Sequence, residues 1–162
     1  LVWLWLALLA IVLDQGTKQM AEAMLTYAHP VYILPVLDFT LLYNRGAAFS
    51  FLADQEGWQR WLFTAISIGV SIMLLVWQAR LPRGAVWLPI ALSLVLGGAL
   101  GNLVDRLLHG HVIDFISVHW AGSYFPAFNI ADSAITLGAI MLGLDVIREI
   151  RQDMRQARST SD

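Results

Sequence analysis

The 162-residue sequence predicts an all-α membrane protein, four transmembrane helices carrying a small sheet on the outer face, and three observations lead there. Only 14% of residues are charged and 58% are hydrophobic, whereas a soluble domain carries about 25% charged residues to face water. Residues 61–79, bounded by Arg60 and Arg80, and residues 84–104, bounded by Arg83 and Asp105, hold no charge at all, and about 20 such residues cross ~30 Å of hydrocarbon. Two more apolar stretches, residues 1–25 and 125–147, are interrupted only by Asp14 and Lys18, by Glu22, and by Asp132 and Asp145. The length suits one domain over residues 1–162, with no repeat and no linker. A net charge of −2 leaves no phosphate-neutralising surface, so no nucleic-acid partner is expected. With no cysteine there is neither a disulfide framework nor a thiolate metal site.

The first span opens on Leu1 rather than Met, so the chain is read as lacking its start. Its apolar run is read as a helix that stays, because no charged segment precedes it and no small-residue cleavage site follows. Residues 27–57 form an outer segment in which Val31 to Tyr43 is rich in β-branched and aromatic residues around Pro35, the pattern of short strands lying on the membrane face. Direction follows from the positive residues. Arg80 and Arg83 lie between spans two and three, and Arg148, Arg151, Arg155 and Arg158 follow span four; Arg45, Arg60 and Arg106 lie opposite. Both termini and a tail over residues 148–162 are thus expected in the cytoplasm, the tail arginines resting on anionic headgroups. Trp58, Trp61, Trp77 and Trp87 suit interfacial belts.

Ionisable groups inside spans are costly and mark function by default. In this topology Asp14 and Lys18 fall in the outer half of span one, Asn102, Asp105 and Arg106 at the outer end of span three, and Asn129 and Asp132 in the first turns of span four, with Asp114 in the outer loop between. Each piece also has a structural reading. Asp14 and Lys18, four residues apart, can neutralise each other on one helix face, and Asn102, Asp105 and Arg106 can form a cap and an ion pair. Gly97, Gly98 and Gly101 read as close helix packing rather than a phosphate loop. Asp114 and Asp132 have no Lys or Arg at i±3 or i±4. If residues 115–125 fold back, the two carboxylates meet and share a proton, one acting as base and the other as acid in amide hydrolysis. His109 and His111 lack the spacing of a metal protease, no GxSxG elbow is present, and Gly143-Leu-Asp145 falls short of a GxGD pattern. A proton-coupled transporter and an assembly subunit stand as alternatives; a transporter would spread its acidic groups through the membrane depth.

Four segments in order, Asn44-Arg-Gly-Ala-Ala-Phe49, Gly101-Asn-Leu-Val-Asp-Arg106, Val112-Ile-Asp-Phe115 and Phe128-Asn-Ile-Ala-Asp132, resemble the bacterial lipoprotein signal peptidase (signal peptidase II) family. The resemblance reaches back to Asp14 and Lys18 and covers nearly the whole chain. It implies an aspartyl endopeptidase of the bacterial inner membrane, without a cofactor or metal, that cleaves N-terminal to the lipidated cysteine of diacylglyceryl-modified prolipoproteins. It implies Asp114 and Asp132 as the catalytic dyad, Asn102, Asp105, Arg106, Asn129 and Ala131 around the site, and Asn44, Gly46, Ala47, Ala48 and Phe49 as a loop over the substrate. Asp14 and Lys18 support that site. The fold implied adds a periplasmic β-cradle and a short periplasmic helix near residues 53–60 to the four spans. Partners implied are membrane lipid and globomycin-type inhibitors. Arg45 stands at a position the family leaves variable.

Overall fold

A computed structural model describes residues 1–46 and 58–159. In chain order the elements are α1 (Leu4–Met24), β1 (Val31–Leu34), β2 (Leu37–Asn44), α2 (Trp58–Arg80), α3 (Trp87–Leu108), β3 (Val112–Trp120), β4 (Ser123–Tyr124) and α4 (Ile130–Ser159). The helices dominate, and a four-stranded antiparallel sheet caps one end of them. Ala47, Ala48 and Phe49, and most of the expected short helix, lie outside the described residues. Trp58 to Arg60 belong to α2 itself.

α3 is the central helix, packed against each of the other three. Of its apolar stretch 61% is buried, against 22% for α2 and 17% for α4, so those two keep most of their apolar surface outward, as lipid-facing helices do. Leu92 and Leu96 of α3 pack with Ala7 and Leu74. The glycines of α3 set the closeness of approach. A Cβ on Gly97 would lie 2.7 Å from that of Ala10, one on Gly101 2.7 Å from Asp14 Oδ2, and one on Gly98 would collide with the carbonyl of Ala131. These are packing glycines, as expected.

Among the described residues α2, α3 and α4 are long and apolar enough to cross a membrane, three helices where the sequence suggested four spans. α1 has the length, 21 residues, but Asp14, Gln15, Thr17, Lys18 and Gln19 make its second half too polar. α4 begins at Ile130, later than the expected start near 125, and runs without a break into the basic tail.

In the sheet, Pro35 and Val36 form the turn between β1 and β2, where a residue lacking an N–H and fixed near φ −65° is at home. β2 pairs with β3 through Asp38↔Ser117, Leu42↔Asp114 and Asn44↔Val112, with a bulge between Phe39 and Leu42. β3 corrects the expectation that Asp114 lies in a loop. Val112, Ile113, Asp114 and Phe115 are all buried, and a continuously buried run lacks the alternation that marks a half-exposed strand. The chain then folds back. Ala121 and Gly122, both at positive φ, reverse it, and Phe128 bonds Ile116 in both directions (2.9 and 3.1 Å). Leu41, Ile113 and Phe115 seat the sheet on Ala21 of α1.

Candidate active site

Where β3, the start of α4 and the last turns of α1 and α3 meet, nine polar side chains form one connected network. Its centre is Lys18, 1% exposed, whose ammonium donates to Asp14 Oδ2 (2.7 Å), Asp105 Oδ2 (2.8 Å) and Asn102 Oδ1 (3.0 Å). Three protons meet three acceptors, so the buried cation is fully satisfied. The i,i+4 pairing of Asp14 and Lys18 therefore holds, enlarged by a second carboxylate that the sequence did not assign to it.

Asp14 and Asp105 each hold a backbone amide in turn. Asp14 Oδ1 accepts the N–H of Ala131 (2.9 Å), satisfying a free donor in the first turn of α4. Asp105 Oδ2 accepts the N–H of Ile113 (3.1 Å) and fixes the start of β3 to α3. The ion pair that Asp105 and Arg106 could have formed is not made. Neighbours on a helix diverge by about 100°, and Arg106 turns toward α2, its guanidinium over the Phe63 ring (5.5 Å) and 3.4 Å from Ser67 Oγ and from its own helix's Asn102 carbonyl.

Asn129 and Asp132 form a reciprocal cap at the start of α4. The Asp132 N–H donates to Asn129 Oδ1 (2.9 Å), and the Asn129 N–H donates to Asp132 Oδ2 (3.3 Å). The Asn129 amide nitrogen reaches Asp114 Oδ1 (2.8 Å), the Ile113 carbonyl (3.2 Å) and Asn102 Oδ1 (3.2 Å). One asparagine thus touches both carboxylates, through its side chain on Asp114 and through its cap on Asp132. Asn102 Nδ2 donates to Asp132 Oδ1 (2.7 Å).

From the sheet, Asn44 Nδ2 donates to Asp114 Oδ2 (3.1 Å), while its Oδ1 accepts the Gly46 N–H (2.9 Å). That second bond decides which way round the Asn44 amide sits. Gly46 has φ +92°, and a Cβ there would lie 2.6 Å from the Phe63 ring, so both backbone and space call for glycine. Asp114 is 3% exposed. Burial, and then the Asp132 carboxylate, push its pKa from 3.8 up to about 7, against the pull of the Asn44 and Asn129 donors and Lys18.

All the described residues anticipated for the site, Asp14, Lys18, Asn44, Gly46, Asn102, Asp105, Arg106, Asp114, Asn129, Ala131 and Asp132, gather here. Sequence reasoning missed Gln15, which donates to Asp105 Oδ1 (2.8 Å), and Phe63. Gln15 carried the same signal as its neighbours, a polar group within an apolar span; Phe63 carried none.

The signal peptidase (SPase) II family profile matches residues 6–148. A lipoprotein signal peptidase of Pseudomonas paraeruginosa (strain DSM 24068 / PA7) is 59% identical over 150 residues, 91% of this chain and 89% of its own. One of Acinetobacter baumannii (strain ATCC 17978) is 58% identical over 145 residues, covering 90% and 82%. A bacterial membrane enzyme solved by the in meso method at 2.3 Å resolution superposes with a TM-score of 0.81 at 31% identity, over 92% of this chain and 89% of that one. A second, at 1.9 Å, gives 0.81 at 32% identity over 90% and 92%. By sequence over nearly its whole length and by fold, the chain belongs to the signal peptidase II family of membrane proteases.

Proposed function

We infer that this protease removes signal peptides from prolipoproteins by a two-aspartate mechanism, cutting N-terminal to a cysteine that carries diacylglycerol. The observation that carries the mechanism is the convergence of Asp114 and Asp132 on Asn129.

The two carboxyls differ in what surrounds them. Asp132 lies in the first turn of α4, where the helix N-terminus favours negative charge, and accepts from Asn102 and the Asn129 N–H. Asp114 lies in a strand, buried, with a proton it keeps to about pH 7. Asp132 is the resting base and Asp114 the resting acid. Asp132 takes a proton from a water whose oxygen attacks the scissile carbonyl, while the Asp114 proton moves onto the carbonyl oxygen. The resulting diol collapses as the proton on Asp132 passes to the leaving nitrogen and the C–N bond breaks. The diol's other proton returns to Asp114, and the products are a signal-peptide carboxyl and the amine of the lipidated cysteine.

α1 is the fourth span in this reading. Asp14 and Lys18 face inward and are paired, while Trp5, Leu8, Leu9, Val12 and Leu13 are exposed, so over this stretch the surface toward lipid is more apolar than the composition. Four spans, with Arg80, Arg83 and the tail arginines inside, put both termini in the cytoplasm and the site at the periplasmic edge of the bacterial inner membrane. A diacylglyceryl group anchored in the outer leaflet presents its neighbouring peptide bond at that depth. Globomycin-type inhibitors act there by occupying the dyad. Cleavage of a prolipoprotein by the purified protein, with and without its diacylglyceryl group, tests the substrate: only the lipidated form is expected to be cut, and equal cleavage of both would contradict the reading.

A further inference from the structure

We propose that Gln15 is a positioning residue for the reaction, its side-chain amide yoking the two buried carboxylates that hold the backbone just ahead of each reacting aspartate. The proposal rests on the reading of Asp114 and Asp132 as the reacting pair.

Asp14 holds the N–H of Ala131, one residue before Asp132, and Asp105 holds the N–H of Ile113, one residue before Asp114. The position of each aspartate is thus referred to one member of a second, structural carboxylate pair. Two groups span that pair. Lys18 binds each carboxylate through Oδ2, at 2.7 and 2.8 Å. An ammonium is a point charge with rotatable donors and does not fix the plane of a carboxylate. Gln15 Nε2 adds the second point of attachment, 2.8 Å from Asp105 Oδ1, 3.2 Å from Asp14 Oδ2 and 3.2 Å from the Gly101 carbonyl. All three neighbours are acceptors, so the nitrogen of the amide must face them. With Asp105 held on both oxygens, Ile113 and Asp114 keep their place relative to Ala131 and Asp132.

The spacing of the reacting pair sets the repulsion between its two charged forms and so the separation of its two titrations. Charged and titratable groups facing it are Asp14 and Lys18 from α1 and Arg106 from α3, with Asp105 behind them and His111 interacting with Asp105 rather than with the pair; β2 presents the neutral Asn44, and Arg60 of α2 binds the Leu107 carbonyl instead. Replacing neutral Gln15 by neutral methionine alters none of these charges, so a changed pH profile in that variant reports geometry.

Gln15→Met keeps the length of the side chain and removes its donors. Expected on a diacylglyceryl prolipoprotein are a kcat lower by about tenfold, an unchanged KM, and an alkaline limb of the kcat profile moved to lower pH, with Gln19→Met, exposed one turn on, matching wild type. Gln15→Glu keeps the shape but donates only when protonated, so its rate relative to wild type rises as pH falls; this variant decides the matter should Gln15→Met fail to fold. A Gln15→Met profile superimposable on wild type, a loss confined to KM, or a Gln15→Glu ratio independent of pH would overturn the proposal. Turnover surviving in Asp114→Asn or Asp132→Asn would instead remove the dyad reading beneath it.

Discussion

Near its first turns α3 carries one buried polar side chain in contact with a neighbour, Ser93, which accepts from Gln78 of α2 at 3.0 Å. Nine residues on, Asn102 and then Asp105 enter a network that ties together α1, α3, β3 and the start of α4. The first is a neutral pair whose loss leaves little behind. In the second a cation and two carboxylates are buried together, and each depends on the others to remain charged away from water. A neutral pair is enough where two helices simply pack, whereas drawing Asp114 and Asp132 together from separate segments involves a charged frame.

Lys18→Met breaks the comparison at its strongest point. It leaves Asp14 and Asp105 buried without their cation, so a loss of about 3–5 kcal/mol is expected in detergent unfolding, with cleavage lost as well. A melting temperature within a few degrees of wild type would show that the frame is not charged as described.

The pH dependence of cleavage comes next. A carboxyl whose folded pKa lies above its ordinary value keeps its proton through mid-range pH and loses it on the alkaline side. Because Asp114 of the free enzyme titrates at about 7, kcat/KM is expected to fall as pH rises through that value. A rate flat from pH 6 to pH 9 would contradict the assignment of Asp114 as the acid.

Gly46→Ala strains a φ of +92° and sets a methyl group against Phe63, so the Asn44 amide loses its anchor. A drop in kcat/KM of about tenfold, roughly 1.4 kcal/mol, with near wild-type melting is expected from steady-state kinetics. The smallest effect belongs to the other end of α3. Gln78→Leu removes the neutral pair with Ser93, costs about 1 kcal/mol in unfolding and leaves kcat unchanged; a change in kcat there would erase the distinction between the two ends.

Much of this was legible beforehand because charge in an apolar chain is rare and therefore informative. Asp14, Lys18, Asn102, Asp105, Asp114, Asn129 and Asp132 stood out by that criterion, and they do converge. Partnership was harder to read. Lys18 was matched to Asp14 by helical spacing, but its contact with Asp105, 87 positions away in sequence, depends on Gly101 letting α1 approach, which spacing within one helix does not encode. An ion pair of Arg106 with Asp105 was one possibility open in sequence, but neighbours on a helix diverge by about 100° and Arg106 turns toward Phe63. β3 was hidden because both its faces are covered, and α1, already interrupted by Asp14 and Lys18 in sequence, keeps those charges on its inward face.

The most direct test of the central claim is the turnover of a diacylglyceryl prolipoprotein by purified Asp114→Asn and Asp132→Asn proteins whose melting matches wild type. Each change keeps the shape of the site and removes a proton carrier, so each is expected to lower kcat by about a thousandfold or more. A variant of either kind that turns over within tenfold of wild type would contradict the two-aspartate mechanism.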